Sequence, residues 1–197
     1  MVEIVLATRN KDKVKEIKEI LNLKGIKFLS LDDFPDAPEV IEDGETLEEN
    51  AIKKAETASG FTGKISLADD SGLEVEALNG APGVRSSRFA GENCTYNDNN
   101  QKLLKFMKET PDDKRKAEFR CVAAISKPGM ETKTVEGKLK GIIAKELRGN
   151  TGFGYDPVFI IPEYGKTIAE LGLEIKNKIS HRARALSKAK KLLEAIS

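Results

Sequence analysis

Two adjacent carboxylates, Asp69 and Asp70, follow the apolar segment Lys64-Ile65-Ser66-Leu67-Ala68 and precede Ser71-Gly72. The segment reads as a short buried strand and Ser71-Gly72 as a sharp turn, which puts the acids at the strand's end. Ionised and unpaired, two carboxylates are costly to bury. At a turn they can hold a hard divalent cation and take a proton from water. The plain alternative is a solvated turn, since Asp, Ser and Gly are ordinary turn residues.

Other segments could serve the same chemistry. Glu42-Asp43-Gly44 lies in an acidic loop from which Glu42 could reach the aspartate pair, and Lys54 lies on the helix that follows. Thr46 and Glu49 have the spacing of a capping box, so Glu49 is assigned to the helix start rather than to a ligand. Thr8-Arg9-Asn10-Lys11-Asp12-Lys13 joins a strand to a helix, with Asn10 as N-cap and Lys13 in the first turn. Such an N-terminus suits an anion, although the glycine-rich run of a P-loop is absent. In Thr151-Gly152-Phe153-Gly154-Tyr155-Asp156-Pro157 the glycines would let the Phe153 ring lie open to a flat ligand, with Asp156 as acceptor; a tight turn with Phe153 in the core fits equally. Lys176 and Ser180-His181-Arg182 stand at the mouth of the last helix, and His181 is the only histidine in the chain. No Ser/His/Asp or Cys/His nucleophilic set is specified.

The elements that must carry these residues alternate along the chain. Strands are expected at Val2 to Ala7, Ile26 to Leu31, Ile65 to Ala68, Gly72 to Leu78, 115–127, 132–144 and Pro157 to Ile161. Helices are expected after Asn10, from Thr46 to about Ser59, from Asn97 to Glu109 and from Ser180. The first helix has Val14, Ile17, Ile20 and Leu21 on one face. The last has Ala183, Leu186, Leu193 and Ile196 available to pack. The order implies a mixed sheet covered by helices, an α/β or α+β fold.

Composition narrows the function. The apolar fraction of 39% and charged fraction of 33% suit a soluble globular chain, and its 197 residues suffice for one domain or two small lobes. No run is apolar enough to span a bilayer. The start reads directly into a strand with no secretory pattern, so a cytoplasmic setting is expected. Cys94 and Cys121 lack metal-like spacing and read as free thiols. A net charge of +1 gives no reason to expect nucleic acid. The charge is unevenly spread, however: residues 31–50 are acidic without a base, and residues 173–197 are strongly basic.

These segments together resemble the ITPase family, also called the Ham1 family, over nearly the whole chain. The resemblance rests on Ala7 to Lys13, Glu42 to Ala51, Ala68 to Gly72, Gly80-Ala81-Pro82-Gly83, Phe153 to Pro157 and Ser180-His181-Arg182, in this order. Arg9 departs from the glycine common there. The resemblance implies a single domain over 1–197: an elongated, two-lobed α/β fold around a long twisted mixed sheet, with a central substrate cleft. It also implies a homodimer and Mg²⁺-dependent hydrolysis of ITP, dITP and XTP to the monophosphate and pyrophosphate.

Carried over position by position, Thr8, Arg9, Asn10, Lys11, Asp12, Lys13 and Lys54 hold the phosphates. Glu42 and Asp70 hold the metal. Asp70 is the general base with Asp69 beside it, and Ser71 contacts substrate. Phe153, Gly154, Tyr155, Asp156, Lys176, His181 and Arg182 form the base pocket. Cationic donors there suit a 6-oxo purine and lose their bond against the 6-amino group of adenine. The competing readings are a Maf-like pyrophosphatase acting on other modified or pyrimidine nucleotides, and a nucleotide-binding sensor without turnover.

Overall fold

The computed structural model describes residues 2–196, without the side chain of Ile196. Ile196, expected to pack from the last helix, therefore lies outside what is described. The chain falls into two compact units. The first comprises Met1–Asp70, Cys121–Gly137 and Arg182–Ser197, and the second Ser71–Arg120 and Lys138–His181.

In the first unit, strand β1 (Val2–Leu6) lies parallel to both β2 (Ile26–Ser30) and β3 (Ile65–Val75). The strand order is β2-β1-β3-β5-β6, where β5 is Lys116–Ser126 and β6 is Lys133–Ile143. Helix α1 (Lys11–Leu21) starts where the sequence places it, because the Asn10 side chain accepts the backbone N–H groups of Asp12 and Lys13. Helix α2 (Leu47–Thr62) opens with the full Thr46/Glu49 capping box and runs past Ser59 to the left-handed Gly63. The core joins Ile4, Leu6, Ile17, Leu21, Leu67 and Cys121 to Leu186 and Leu193 of the last helix, α6 (His181–Ile196).

In the second unit the order is β4-β3-β5-β6-β7-β8, with β4 (Pro82–Gly83), β7 (Phe159–Ile161) and β8 (Lys166–Thr167) each antiparallel to its neighbour. Helix α3 (Tyr96–Phe106) turns Leu103 into a core with Leu73, Val75, Phe119 and Phe159. The fold is thus a mixed sheet with covering helices, as expected.

Two local expectations fail. Ser71-Gly72 is not a turn, since β3 runs unbroken from Ile65 to Val75 and the aspartate pair lies inside a strand. The half-exposed strand expected from Gly72 ends at Val75 and passes into a single turn of 3-10 helix over Glu76–Leu78. Between Ile161 and the last helix, where the sequence reading names no element, the structure holds β8 and two short helices, α4 (Ile168–Leu171) and α5 (Leu173–Ile179). Elements that short offer too few residues for periodicity to register.

Candidate active site

Asp69 and Asp70 are 3% and 6% exposed. The cost of burying them is met by cations from three other elements. Lys13, on the first turn of α1, brings its Nζ to 3.3 Å from Asp69 Oδ2. Arg182, at the start of α6, donates from Nε and Nη2 to the same oxygen at 3.2 and 3.0 Å. Its Nη1 donates to Glu16 Oε2 at 2.6 Å. Lys54, on α2, donates to Asp70 Oδ1 and Glu42 Oε1, both at 2.8 Å, and to the Asp69 carbonyl at 2.9 Å. Neither Lys13 nor Lys54 is the solvated surface cation that its helix position would suggest.

The two aspartates are driven in opposite directions. Burial would raise the Asp69 carboxyl, but Lys13, Arg182 and Lys54 outweigh it and hold Asp69 far below the usual carboxylate range. Burial also dominates at Asp70; Lys54 and Lys13 offset it only in part, the Glu42 charge adds to it, and Asp70 sits above its ordinary value. Burial would lower Lys54, yet Asp70, Glu42 and Asp69 together raise it, so it remains an ammonium. One acid is a permanent anion and its neighbour is the better proton acceptor, the separation that divides roles between paired carboxylates.

The acidic loop is pinned at both ends. Arg9 donates to the Leu31 carbonyl at 2.8 Å and to the Ala37 carbonyl at 3.3 Å, and it lies 3.7 Å from Asp32. It therefore braces the loop instead of lying open beside Thr8 and Asn10. The Gly44 N–H donates to Asn50 Oδ1 at 2.9 Å, an approach that a Cβ on Gly44 would block. Thr8 accepts the Asn10 N–H at 3.1 Å, while Lys11 and Asp12 are exposed on the first turn of α1.

Glu42 and Asp70 come from different elements and meet at one cation, the Lys54 ammonium. Two hard anionic oxygens this close are donors of the kind Mg²⁺ takes, which commonly binds one or two protein carboxylates and fills its sphere with phosphate oxygens and water, although the point where they meet is held here by the Lys54 ammonium. Among the described residues no group of three or more His, Cys, Asp or Glu is set to hold a metal, so the protein alone does not form a full cage.

In the second unit, Asp156 and Lys176 form a buried ion pair at 2.6 Å. Asp156 Oδ2 also accepts the Phe153 N–H at 2.9 Å. The Lys176 Nζ stands 4.2 Å above the centre of the Phe153 ring, a cation–π contact. Asp156 and Lys176 thus brace the Phe153 loop. A Cβ on Gly152 would overlap the Asp156 carboxylate, and Gly152 also has φ +76°. Asn100 donates to the Gly154 carbonyl at 2.9 Å, and Tyr155, buried, donates its hydroxyl to the Ser86 carbonyl at 2.9 Å. His181 is buried against the Phe119 ring. Ser71, half-buried, follows Asp70 on β3.

The structure thus groups Asp69, Asp70, Glu42, Lys13, Lys54 and Arg182 in the first unit, and Phe153, Asp156 and Lys176 in the second. It adds Glu16, which sequence reasoning did not assign to the site, and it brings Asn50, read with the acidic loop from the sequence, to 3.5 Å from Asp70 Oδ2. Glu16 lies one turn from both Lys13 and Ile20, a carboxylate within the inward stripe of α1, and that position was the available signal.

Residues 4–192 match the model of the Ham1 family. A dITP/XTP pyrophosphatase of Desulforamulus reducens is 53% identical over 99% of this chain and 97% of its own length. The protein of the same name from Bacillus subtilis is 51% identical over 99% and 98%. Among solved structures, the Staphylococcus aureus Ham1 protein superposes with a TM-score of 0.88 at 43% identity, covering 99% of this chain and 100% of that one. A HAM1 protein from Coxiella burnetii gives 0.89 at 44% identity over the same shares. With the matched region taking in both the acid cluster and the Phe153 loop, the chain belongs to the Ham1 family.

Proposed function

We propose that this protein hydrolyses the non-standard purine nucleoside triphosphates dITP, ITP and XTP to the monophosphate and pyrophosphate, with Mg²⁺ as cofactor. The observation that carries the reading is the buried pair Asp69 and Asp70, adjacent on one strand and separated in proton affinity by their surroundings. The names of the relatives supply the substrate class. The resemblance of the sequence extends the reading to a homodimer in the cytoplasm.

Asp70 is the general base. It takes a proton from water as the water oxygen bonds to the α-phosphorus, and the bond from that phosphorus to the bridging oxygen of the pyrophosphate breaks. Lys13 and Lys54, with the N–H groups at the start of α1, face the charge that builds up on the triphosphate. Thr8, Arg9, Asn10, Lys11 and Asp12 shape that segment. Glu42 and Asp70 would hold Mg²⁺, which supplies further charge neutralisation when bound. The cluster carries four carboxylates (Glu16, Glu42, Asp69, Asp70) against three cations (Lys13, Lys54, Arg182), an excess that favours a metal cation. Asp69, kept ionised by Lys13 and Arg182, holds both cations in place, and Ser71 lies beside the base on the same strand.

For the purine, Phe153 is the stacking surface, in the loop with Gly154 and Tyr155 that Asp156 braces. Lys176 and His181 supply donors suited to a 6-oxo group. Hydrolysis of XTP in ¹⁸O-labelled water tests the chemistry. The label is expected in the monophosphate; label in the pyrophosphate contradicts attack at the α-phosphorus.

A further inference from the structure

His181 has a partner that the proposed mechanism does not use. The imidazole lies face to face with the ring of Phe119 on β5, with centroids 4.5 Å apart and planes only 11° from parallel. Phe119 in turn packs on Phe159 of β7 at 4.5 Å and 41°. All three are buried, His181 and Phe119 to 4% and 6% exposure. The Phe159 ring occupies space that exists only because residue 141 on β6 is glycine: a Cβ there would overlap the ring edge and the Ile160 carbonyl.

This column matters for what an imidazole can recognise. Its donor and acceptor directions lie in the ring plane, one at each nitrogen. The torsion that sets this plane, χ2, is broad and does not fix itself. A flat ring stacked on the imidazole face fixes the plane and leaves the edges for hydrogen bonds. An aliphatic side chain of similar bulk would fill the space without fixing the plane.

We propose that Phe119, seated by Phe159 over the notch at Gly141, is a positioning residue that orients the His181 imidazole for the purine base and so contributes to base selection. The inference rests on the reading of His181 as part of the base pocket. Loss of this orientation removes one aligned hydrogen bond from the bound purine and leaves the phosphate chemistry of the acid cluster intact. Phe119→Leu should therefore raise KM for dITP and XTP about tenfold, the equivalent of one such bond, with kcat within about twofold of wild type. KM for ATP should move much less. Phe119→Tyr keeps the stacking face and should restore the wild-type KM. Gly141→Ala should reproduce the Phe119→Leu effect from a residue that does not touch His181.

The test joins these kinetics to proton NMR of the imidazole, whose carbon-bound protons belong to the chain's only histidine. In the wild type these protons should be shifted upfield by the stacked ring, and in Phe119→Leu the shift should vanish. An absent upfield shift in the wild type overturns the proposal, as does a lost shift with unchanged KM. An equal KM increase for ATP and XTP also overturns it, because it removes base selection. If Phe119→Leu fails to fold, Gly141→Ala and Phe159→Leu carry the same comparison. A wild-type protein that turns over no nucleotide contradicts the pyrophosphatase reading. In that case, titration with XTP in the presence of EDTA still decides the inference: the imidazole signals must move in the wild type, and the affinity must fall in Phe119→Leu.

Discussion

Asp69 and Asp70 share a strand and a peptide bond, yet Asp69 meets Lys13 and Arg182 whereas Asp70 shares the Lys54 ammonium with Glu42. The partners, more than the burial, set the difference, since both residues are nearly inaccessible. A carboxylate held below its ordinary pKa adds stability above about pH 3.9, the unfolded value, and loses it as pH falls through the folded value. Asp69 is of this kind. A carboxyl held above its ordinary value favours the folded state when protonated, and that contribution fades as pH rises through the folded value. Asp70 is of this kind.

Two isosteric changes should therefore differ in the metal-free protein at neutral pH. Asp69→Asn leaves Arg182 and Lys13 without their shared anion and should cost about 3–5 kcal/mol. Asp70→Asn leaves Lys54 paired with Glu42 and should cost less stability than Asp69→Asn, yet lower kcat by about 10²–10⁴-fold through loss of the base. Urea unfolding and pyrophosphate release measure the two effects. Near-wild-type turnover in a folded Asp70→Asn protein contradicts the assignment of the base.

Arg182 joins two carboxylates, and its removal strands both. Arg182→Ala should destabilise the protein by about 3–5 kcal/mol, seen as a lower urea midpoint. If Arg182 also serves the 6-oxo group, the XTP:ATP ratio of kcat/KM should narrow by about ten- to a hundredfold. A uniform loss for all nucleotides would assign it to the acid cluster alone.

Glu42 is expected to be a metal ligand, and its charge raises the proton affinity of Asp70. Glu42→Gln should raise the Mg²⁺ concentration needed for half-maximal activity by about tenfold or more, the scale of losing a charged ligand. It should also lower the acid limb of the pH profile toward the ordinary carboxylate value. A Mg²⁺ titration unchanged from wild type would remove Glu42 from the metal site.

Gly152 combines a left-handed backbone with contact to Asp156. Gly152→Ala should cost about 1–2 kcal/mol from the backbone alone, and it should weaken nucleotide binding by displacing the Phe153 loop. Calorimetric unfolding and KM for XTP check both parts.

Much of this was legible because it is local. The Asn10 cap, the Thr46/Glu49 capping box and the apolar face of α1 are each written within a few residues, and each forms as read. The error at Ser71-Gly72 shows what locality leaves out. The dipeptide is a turn signal, and two carboxylates look unfit for a strand interior, but Lys13, Lys54 and Arg182 arrive from distant parts of the chain and make burial tolerable. Arg9 escaped for the same reason, since its acceptors are backbone carbonyls of Leu31 and Ala37, and backbone carbonyls carry no sequence signature. Glu16 was hidden among charged neighbours on α1, and only its place in the inward stripe distinguishes it.

The most direct measurement is kcat/KM for pyrophosphate release by the wild-type protein from dITP, XTP, dATP, ATP, dGTP and GTP, with Mg²⁺ and again with the metal chelated. The account predicts release from dITP and XTP at least about a hundredfold more efficient than from the adenine nucleotides, the discrimination expected when buried polar groups go unpaired. It also predicts loss of this activity on chelation and its return with added Mg²⁺. Equal turnover of ATP and XTP, or orthophosphate as the sole product, would contradict it.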